Sequence, residues 1–302
     1  MPKIDHQIRL ASFTWLREQI QIHGEILPRK LLEAGFEFEG RRIPLMSPQG
    51  IFKPKDMKLP LTITTAPDGP YEDTFSYQGF LLYKYRGADP NHRDNVGLRE
   101  AMRKHVPLIY FHGVFKGKYE VVFPVYIVGD DPENLTFKVT ADAFDKVNYE
   151  GTNTSVKDVE TDIRRRYVTT EVQQRIHQHT FRERVLAAYQ NQCTFCRLRH
   201  PELLDAAHII GDKEPEGEPI VNNGLALCKI HHAAFDNLFV GIRPDNYTIE
   251  VREDVRKEKD GPMLLHGLQE MHHRKIILPH ETRDWPDRDL LGMKYEKFRK
   301  VI

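Results

Sequence analysis

The sequence predicts an α+β protein in two parts, a β-rich amino-terminal half and a smaller carboxy-terminal half built on a cysteine framework. Three observations carry that prediction. Runs that read as strands concentrate between residues 60 and 140. Strong helical spacing is kept mostly to the flanks. All three cysteines fall in the second half, at Cys193, Cys196 and Cys228. A chain of 302 residues carries an expectation of about two domains and can bury a sizeable core without covalent staples.

Taken in order, residues 7–22 (QIRLASFTWLREQIQI) set Ile8, Phe13, Leu16 and Ile20 near helical spacing, with Gly24 just beyond as a stop. Pro28 opens a second short helix over 29–34, ended by Gly35. FEFEGRRIPL reads as a hairpin, with Glu39 and Gly40 near its turn. Two helices and a hairpin fit either a winged-helix-like unit or the docking edge of the next domain. Beyond them, LPLTITTA, GFLLYKY, PLIYFHGV, YEVVFPVYIV and LTFKVT alternate with turn signals such as RGADPN, FKGK and GDDPEN. One helix, around 95–104, interrupts them. The pattern is that of a mixed, mostly antiparallel β domain, with a partly closed barrel as one arrangement. Twelve aromatics lie between Tyr71 and Tyr126. Strand aromatics usually fill a core; a base-stacking cage is the sharper alternative. The polar stretch 145–165 marks a linker, placed at 151–170 between a domain over 1–150 and another over 171–302. A strong helix follows over 171–189, with Phe181, Val185, Ala188 and Tyr189 on a connected face.

Composition narrows the classes. With 40% hydrophobic and 29% charged residues the chain is neither disordered nor low-complexity. No apolar run approaches the roughly 18 residues of a membrane span. MPKIDHQIRLASF has polar and acidic residues where a secretory leader needs an apolar core. An odd cysteine count argues against a disulfide framework, so the expected address is the cytoplasm. The 44 basic and 44 acidic residues cancel, yet residues 161–200 hold eight arginines against three acids. Such a stretch suits phosphate binding, or equally a solvated helix face.

His231 completes a C-x2-C…C-x2-H set with the three cysteines. Two pairs, each with two residues between, are what a tetrahedral zinc site takes from two turns. Four protein ligands would close the ion off and make it structural. The plain alternative is three unrelated buried thiols, but every cysteine lies in this paired spacing.

Between and after the pairs stand DAAHII, VNNGLALC and KIHHAAFD: a His on an apolar strand, an Asn near a turn, and a second His at the head of a helix. The stretch resembles the HNH endonuclease motif, a ββα-metal nuclease fold held by a zinc knuckle. CRLRHPELLDAAHI, PEGEPIVNNGLALCKIHHAAFD and DGPMLLHGLQEMHH are similar to predicted bacterial HNH restriction endonucleases. The resemblance implies roles. His208 would be the general base that activates water, a task suited to an imidazole. Asn223 would orient the loop and the base. His232 would bind a catalytic divalent cation, Mg²⁺ or Mn²⁺, acting as Lewis acid, while Zn²⁺ fills the knuckle. Many relatives carry Asp or His just before the base, where this chain has Ala207. Asp205 shares a strand face with Ala207 and is the expected replacement ligand. Asp236, one helical turn after His232, either orients that ring or binds the ion. Arg182, Arg184, Arg197 and Arg199 are the expected DNA contacts.

A small ββα nuclease contacts mainly sugar and phosphate, so the first half is expected to select the substrate. GPYEDTFSY, YKYRGADPNHRDN and GKYEVVFPVY are similar in flavour to PUA-like, SRA-type readers of modified bases, which flip a base into a cage. Tyr71, Asp73, Tyr83, Tyr85 and Asn95 are the candidate cage residues. The expectation is a restriction endonuclease acting on double-stranded DNA that carries modified cytosine. The alternative is a zinc-stabilised DNA-binding or regulatory module without turnover. One HNH site cuts one strand, so a double-strand break needs a homodimer or two nicks.

Overall fold

Residues 3–67, 74–76, 79–142, 159–259 and 261–301 are described by the computed structural model, side chains at 74 and 159–163 excepted. The chain divides into two units, Met1–Ile176 and His177–Ile302. Among the described residues no helix is long and apolar enough to cross a membrane.

The first unit opens with α1 (Lys3–His23), whose inner stripe buries Ile8, Phe13 and Leu16. β1 (Ile26–Pro28), α2 (Arg29–Ala34) and the hairpin β2 (Phe36–Phe38) and β3 (Arg41–Ile43) follow. α2 stops at Gly35, where φ is +60° and an added Cβ would lie 1.9 Å from the Ile43 carbonyl oxygen. Only glycine fits there. The remaining elements are β4 (Ile51–Phe52), β5 (Thr62–Thr65), β6 (Thr74–Phe75), β7 (Leu81–Lys84), α3 (Arg93–Arg103), β8 (Leu108–Phe115), β9 (Lys118–Asp131) and β10 (Thr136–Ala141).

Together these strands form one sheet in the order β4-β5-β8-β9-β10-β7-β6, with β1 also pairing β9. β5 and β8 are parallel; the other pairs are antiparallel. The sheet curls until β7 reaches β5, where the Tyr83 hydroxyl donates to the Thr64 carbonyl at 3.4 Å. Because β1 is a strand of this sheet, and Leu27, Leu32 and Phe36 pack with Ile109, Phe111 and Val121, the first 45 residues are the edge of the β domain. They are not a free-standing winged helix.

α4 (Val159–Ala188) begins where a linker was expected and carries the division between the units within it. Residues 151–158 of that linker lie outside the described residues. From 159 onward no Gly or Pro interrupts the helix, and Val168, Val172 and Ile176, four residues apart, pack on the first unit's core. A polar average concealed that stripe.

The second unit has its own core. β11 (Leu204–His208) pairs antiparallel with β12 (Gly224–Cys228), setting His208 opposite Gly224 and Asp205 opposite Leu227. α5 (Lys229–Asp236) follows at once, completing a ββα unit. β13 (Val240–Ile242) and β14 (Ile249–Val251) form a second hairpin. α6 (Glu253–Lys257), α7 (Pro262–Gly267) and α8 (Arg288–Arg299) close the unit. A Cβ on Gly224 would come within 2.4 Å of Val185 and 3.0 Å of the Phe181 ring, so α4 presses on β12 through this glycine.

Candidate functional site

The knuckle is assembled from two turns. Thr194 N–H donates to Ala226 C=O at 2.8 Å, tying the first turn to β12. Arg197, in the left-handed region at φ +65°, turns the chain back after Cys196. Cys228 ends β12 and precedes the first residue of α5, which places His231 one turn further on, buried. The donor atoms of Cys193, Cys196, Cys228 and His231 all lie within 4.8 Å of one another. The three cysteines are free thiols. His231 Nδ1 stands 3.4 Å from Cys193 Sγ and 3.1 Å from Cys228 Sγ, and its Nε2 is 2.6 Å from the Gly267 carbonyl oxygen. One ring nitrogen thus faces the sulfurs while the other donates to a fixed backbone acceptor, the arrangement that orients a metal-ligating imidazole. Three sulfurs and one nitrogen suit a tetrahedral, sulfur-preferring ion. The residues fit a metal.

His208 closes β11 with its ring stacked face to face on Phe181, centroids 4.0 Å apart and planes 14° from parallel. Its Nε2 is buried and has no hydrogen-bond partner, while the residue as a whole is partly exposed, which leaves the Nδ1 edge to meet solvent. Burial draws the imidazole's pKa down, against the pull of Asp212 and Asp236. Burial thus favours the neutral ring, the form that accepts a proton. Asn223 is fully buried. Its Oδ1 accepts the Ile210 N–H at 2.9 Å, and its Nδ2 donates to the carbonyls of Ile210 and Glu218, both at 2.9 Å. One side chain thereby shuts both ends of the loop that leaves the strand bearing His208.

His232 sits one helical position past His231 and faces away from the knuckle, between two carboxylates. Nδ1 is 3.8 Å from Asp205 and Nε2 is 3.1 Å from Asp236. Asp205, then Asp236, raise its pKa to about 9. His232 in turn holds Asp205 well below the usual carboxylate range, with Lys229 adding to the effect. Burial pushes Asp236 up, but His232 outweighs it and the net shift is downward. The carboxylates occupy opposite nitrogens of one ring, and the three residues do not gather their donor atoms within 4.8 Å. One ion would take His232 with one carboxylate as the ring stands. Asp236 is the nearer. Asp205 is also engaged by Lys229 Nζ at 2.7 Å and by Arg182 Nε at 3.6 Å. An imidazole with an aspartate suits a divalent cation that keeps open positions for water or phosphate.

Residues 193–243, which contain the knuckle, His208, Asn223 and His232, match the family model described as HNH endonuclease. This segment is an HNH endonuclease domain. Its class of reaction is therefore phosphodiester hydrolysis, and nucleases of this kind depend on a metal. Among solved structures, the chain is similar to a modification-dependent TagI restriction endonuclease at 16% identity, TM-score 0.29, over 93% of this chain and 90% of that one. It is also similar to the Type IV phosphorothioation-dependent restriction endonuclease ScoMcrA at 15% identity, TM-score 0.21, over 80% of this chain and 50% of that one. At these scores neither likeness decides fold or activity. No curated protein matches the chain.

The arginines around the HNH domain divide. Arg182 is turned inward: its Nη2 donates to the carbonyls of Pro201 at 2.8 Å and Leu204 at 3.0 Å, and Nη1 meets Glu183. These bonds tie Arg182 to the backbone on either side of the start of β11. Arg199 reaches Gln192 at 3.4 Å and is otherwise exposed. Arg184 and Arg197 are exposed. Lys229 was not singled out by sequence reasoning. Helical spacing already set Phe181 on the inner face of α4, but only the fold shows that it meets His208.

In the first unit, Tyr71 and Asp73 lie outside the described residues. Tyr83 and Tyr85 line a cavity of about 250 Å³, together with Met46, Gln49, Thr64 and Arg86. The Tyr85 hydroxyl is held by Asp130 and Arg99, and its ring stacks on Phe137 at 4.5 Å. Asn95 does not line this cavity. It is fully buried, with its amide committed to the backbone of Arg86 and Asp89.

Proposed function

We propose that the protein is a metal-dependent DNA endonuclease of restriction, acting in the cytoplasm, whose HNH domain cuts the strand and whose first unit selects DNA carrying a modified base. The observation that carries the nuclease reading is the setting of His208: its ring clamped flat by Phe181, at the end of β11 and on the same ββα unit as His232. In this reading the open nitrogen of His208 takes a proton from water as the oxygen attacks phosphorus, and the 3′ oxygen departs. Asn223 keeps the following loop, and so the base, in register. His232 with Asp236 holds a Mg²⁺ or Mn²⁺ ion, and Asp205 is the third candidate donor. When bound, that ion supplies Lewis-acid charge at the phosphate. Zn²⁺ at Cys193, Cys196, Cys228 and His231 is scaffold. Arg184, Arg197 and Arg199 meet phosphates, and Arg182 serves them by fixing the strand.

For the reader, the support is the tyrosine-lined cavity of the first unit, an apolar slot with a few polar edges, as a flipped base would need. Tyr83, Tyr85 and Tyr119 are its aromatic members.

The test is plasmid nicking with Mg²⁺ or Mn²⁺, alongside digestion of matched duplexes with and without modified cytosine. Wild type should cut, and His208→Ala should lose about 10²–10⁴-fold with knuckle metal content unchanged. A folded protein that binds DNA but never cuts would replace this reading with a binding module. Equal cutting of both duplexes would remove the reader. Asp236→Ala and Asp205→Ala separate the carboxylates, the larger loss marking the ligand.

A further inference from the structure

The apolar stripe of α8 contains a lysine. Leu291 and Phe298 are buried at the ends of the stripe, and Lys294 stands between them, three residues after one and four before the other. A helix presents such positions on one face, so Lys294 is set inward by its spacing. Asp287 fixes the start of the helix by accepting the N–H groups of Asp289 and Leu290. The Lys294 side chain is partly buried, with Nζ 4.8 Å from the centroid of Phe235, itself fully buried. Phe235 immediately precedes Asp236 on α5, the helix that bears His232.

No carboxylate comes within ion-pair distance of this ammonium among the described residues. The two that could are taken. Glu214 pairs with Lys297, one step along the exposed side of α8, and Asp236 pairs with His232. An ammonium removed from water without a counter-ion is unfavourable, and its surroundings differ from those of an ordinary surface lysine. Its ammonium lies over the Phe235 ring, and it feels the charge of Asp236, the carboxylate beside His232, from beyond ion-pair distance.

We propose that Lys294 is a further catalytic residue, its ammonium contacting a non-bridging oxygen of the scissile phosphodiester. The proposal rests on the nuclease reading of the HNH domain. A compact point charge is suited to phosphate, and a fixed cation gains most where negative charge builds up on those oxygens as water adds to phosphorus. α8 thus provides charge, while the ββα unit provides the base and the ligands. Lys297, paired and exposed, has no such part.

The experiment compares wild type with Lys294→Met, Lys294→Arg and Lys297→Met. Each is assayed for single-turnover cleavage and DNA affinity, with melting temperature and knuckle metal content as folding controls. Methionine keeps most of the packing on Phe235 without the charge. Lys294→Met should lose about 10²-fold in cleavage rate at saturating DNA while affinity changes by less than about threefold. Lys294→Arg should recover part of the rate, and Lys297→Met should cut as wild type does. Lys294→Met cutting at the wild-type rate would overturn the proposal. So would Lys294→Arg being as inactive as Lys294→Met, because the residue would then act by shape rather than charge. A wild type that cuts no duplex would sink the nuclease reading itself, a result distinguishable from either.

Discussion

Asn95 in the first unit and Asn223 in the second are built alike. Each is wholly buried. Each accepts one backbone N–H through Oδ1 and returns Nδ2 to the carbonyl of the same residue, Arg86 in one case and Ile210 in the other. Each spends its second amide hydrogen on another carbonyl of the same loop, that of Asp89 or Glu218. The chemistry is identical; what differs is the loop. One joins β7 to α3, and the other follows the strand that presents His208. A buried asparagine therefore reports a clamped loop, and its neighbours decide whether that clamp serves catalysis.

The largest expected contrast between the regions is metal dependence. Stripping the knuckle metal with a strong chelator should abolish the cooperative unfolding transition of the second unit, because metal binding is folding free energy in such sites. The first unit, held by its sheet and two apolar cores, should keep its transition. Calorimetry with and without chelator would show two transitions becoming one; loss of both would mean the units do not fold independently.

Next come the clamps. Asn223→Ala and Asn95→Ala each strip three hydrogen bonds, so each should destabilise its own unit by about 3 kcal/mol, measured by denaturant melts. Only Asn223→Ala should also slow the cleavage step on bound DNA. Equal slowing by both would erase the distinction drawn here.

A smaller effect concerns pH. His232 has a folded pKa raised from its ordinary 6.5 to about 9, so in protein without Mg²⁺ or Mn²⁺ its contribution to stability is fully present below about pH 6.5. It is lost as pH rises through about 9. Melting temperature should fall across that window, and His232→Gln should flatten the fall. His208 shifts in the opposite direction, so cleavage should hold through neutrality and decline only as pH drops low enough to protonate it. The smallest effect is at the surface: breaking the exposed Lys297–Glu214 pair with Lys297→Ala should cost less than about 1 kcal/mol, read from the same melts.

Much of this was legible in the sequence because it is local. The paired two-residue spacings of the knuckle, the hairpin at Glu39–Gly40 and the ends of α2 depend only on neighbours along the chain. His208, Asn223 and His232 stood out through motif spacing, and all three lie within residues 193–243, the segment that matches the HNH model. What the sequence withheld is who spends which charge. Arg182 reads from the sequence as a DNA contact, and the fold shows it also donating to Pro201 and Leu204. Asp205 looked free to bind an ion, but Lys229 and Arg182 stand on it. Asn95 looked like a base-reading amide although its hydrogens were already committed. The start of α4 was concealed for a different reason: its stripe of valines and isoleucine is narrow and set among polar residues.

The bare backbone of Gly224, under Phe181 and Val185, has a practical bearing on how working and silent copies of such a chain are told apart. A side chain there would lift the aromatic lid from the imidazole while leaving every motif letter intact. Descendants that had lost turnover in this way would still pass any pattern search. Position 224, where one methyl group would press on the ring that covers His208, is the place to look for them.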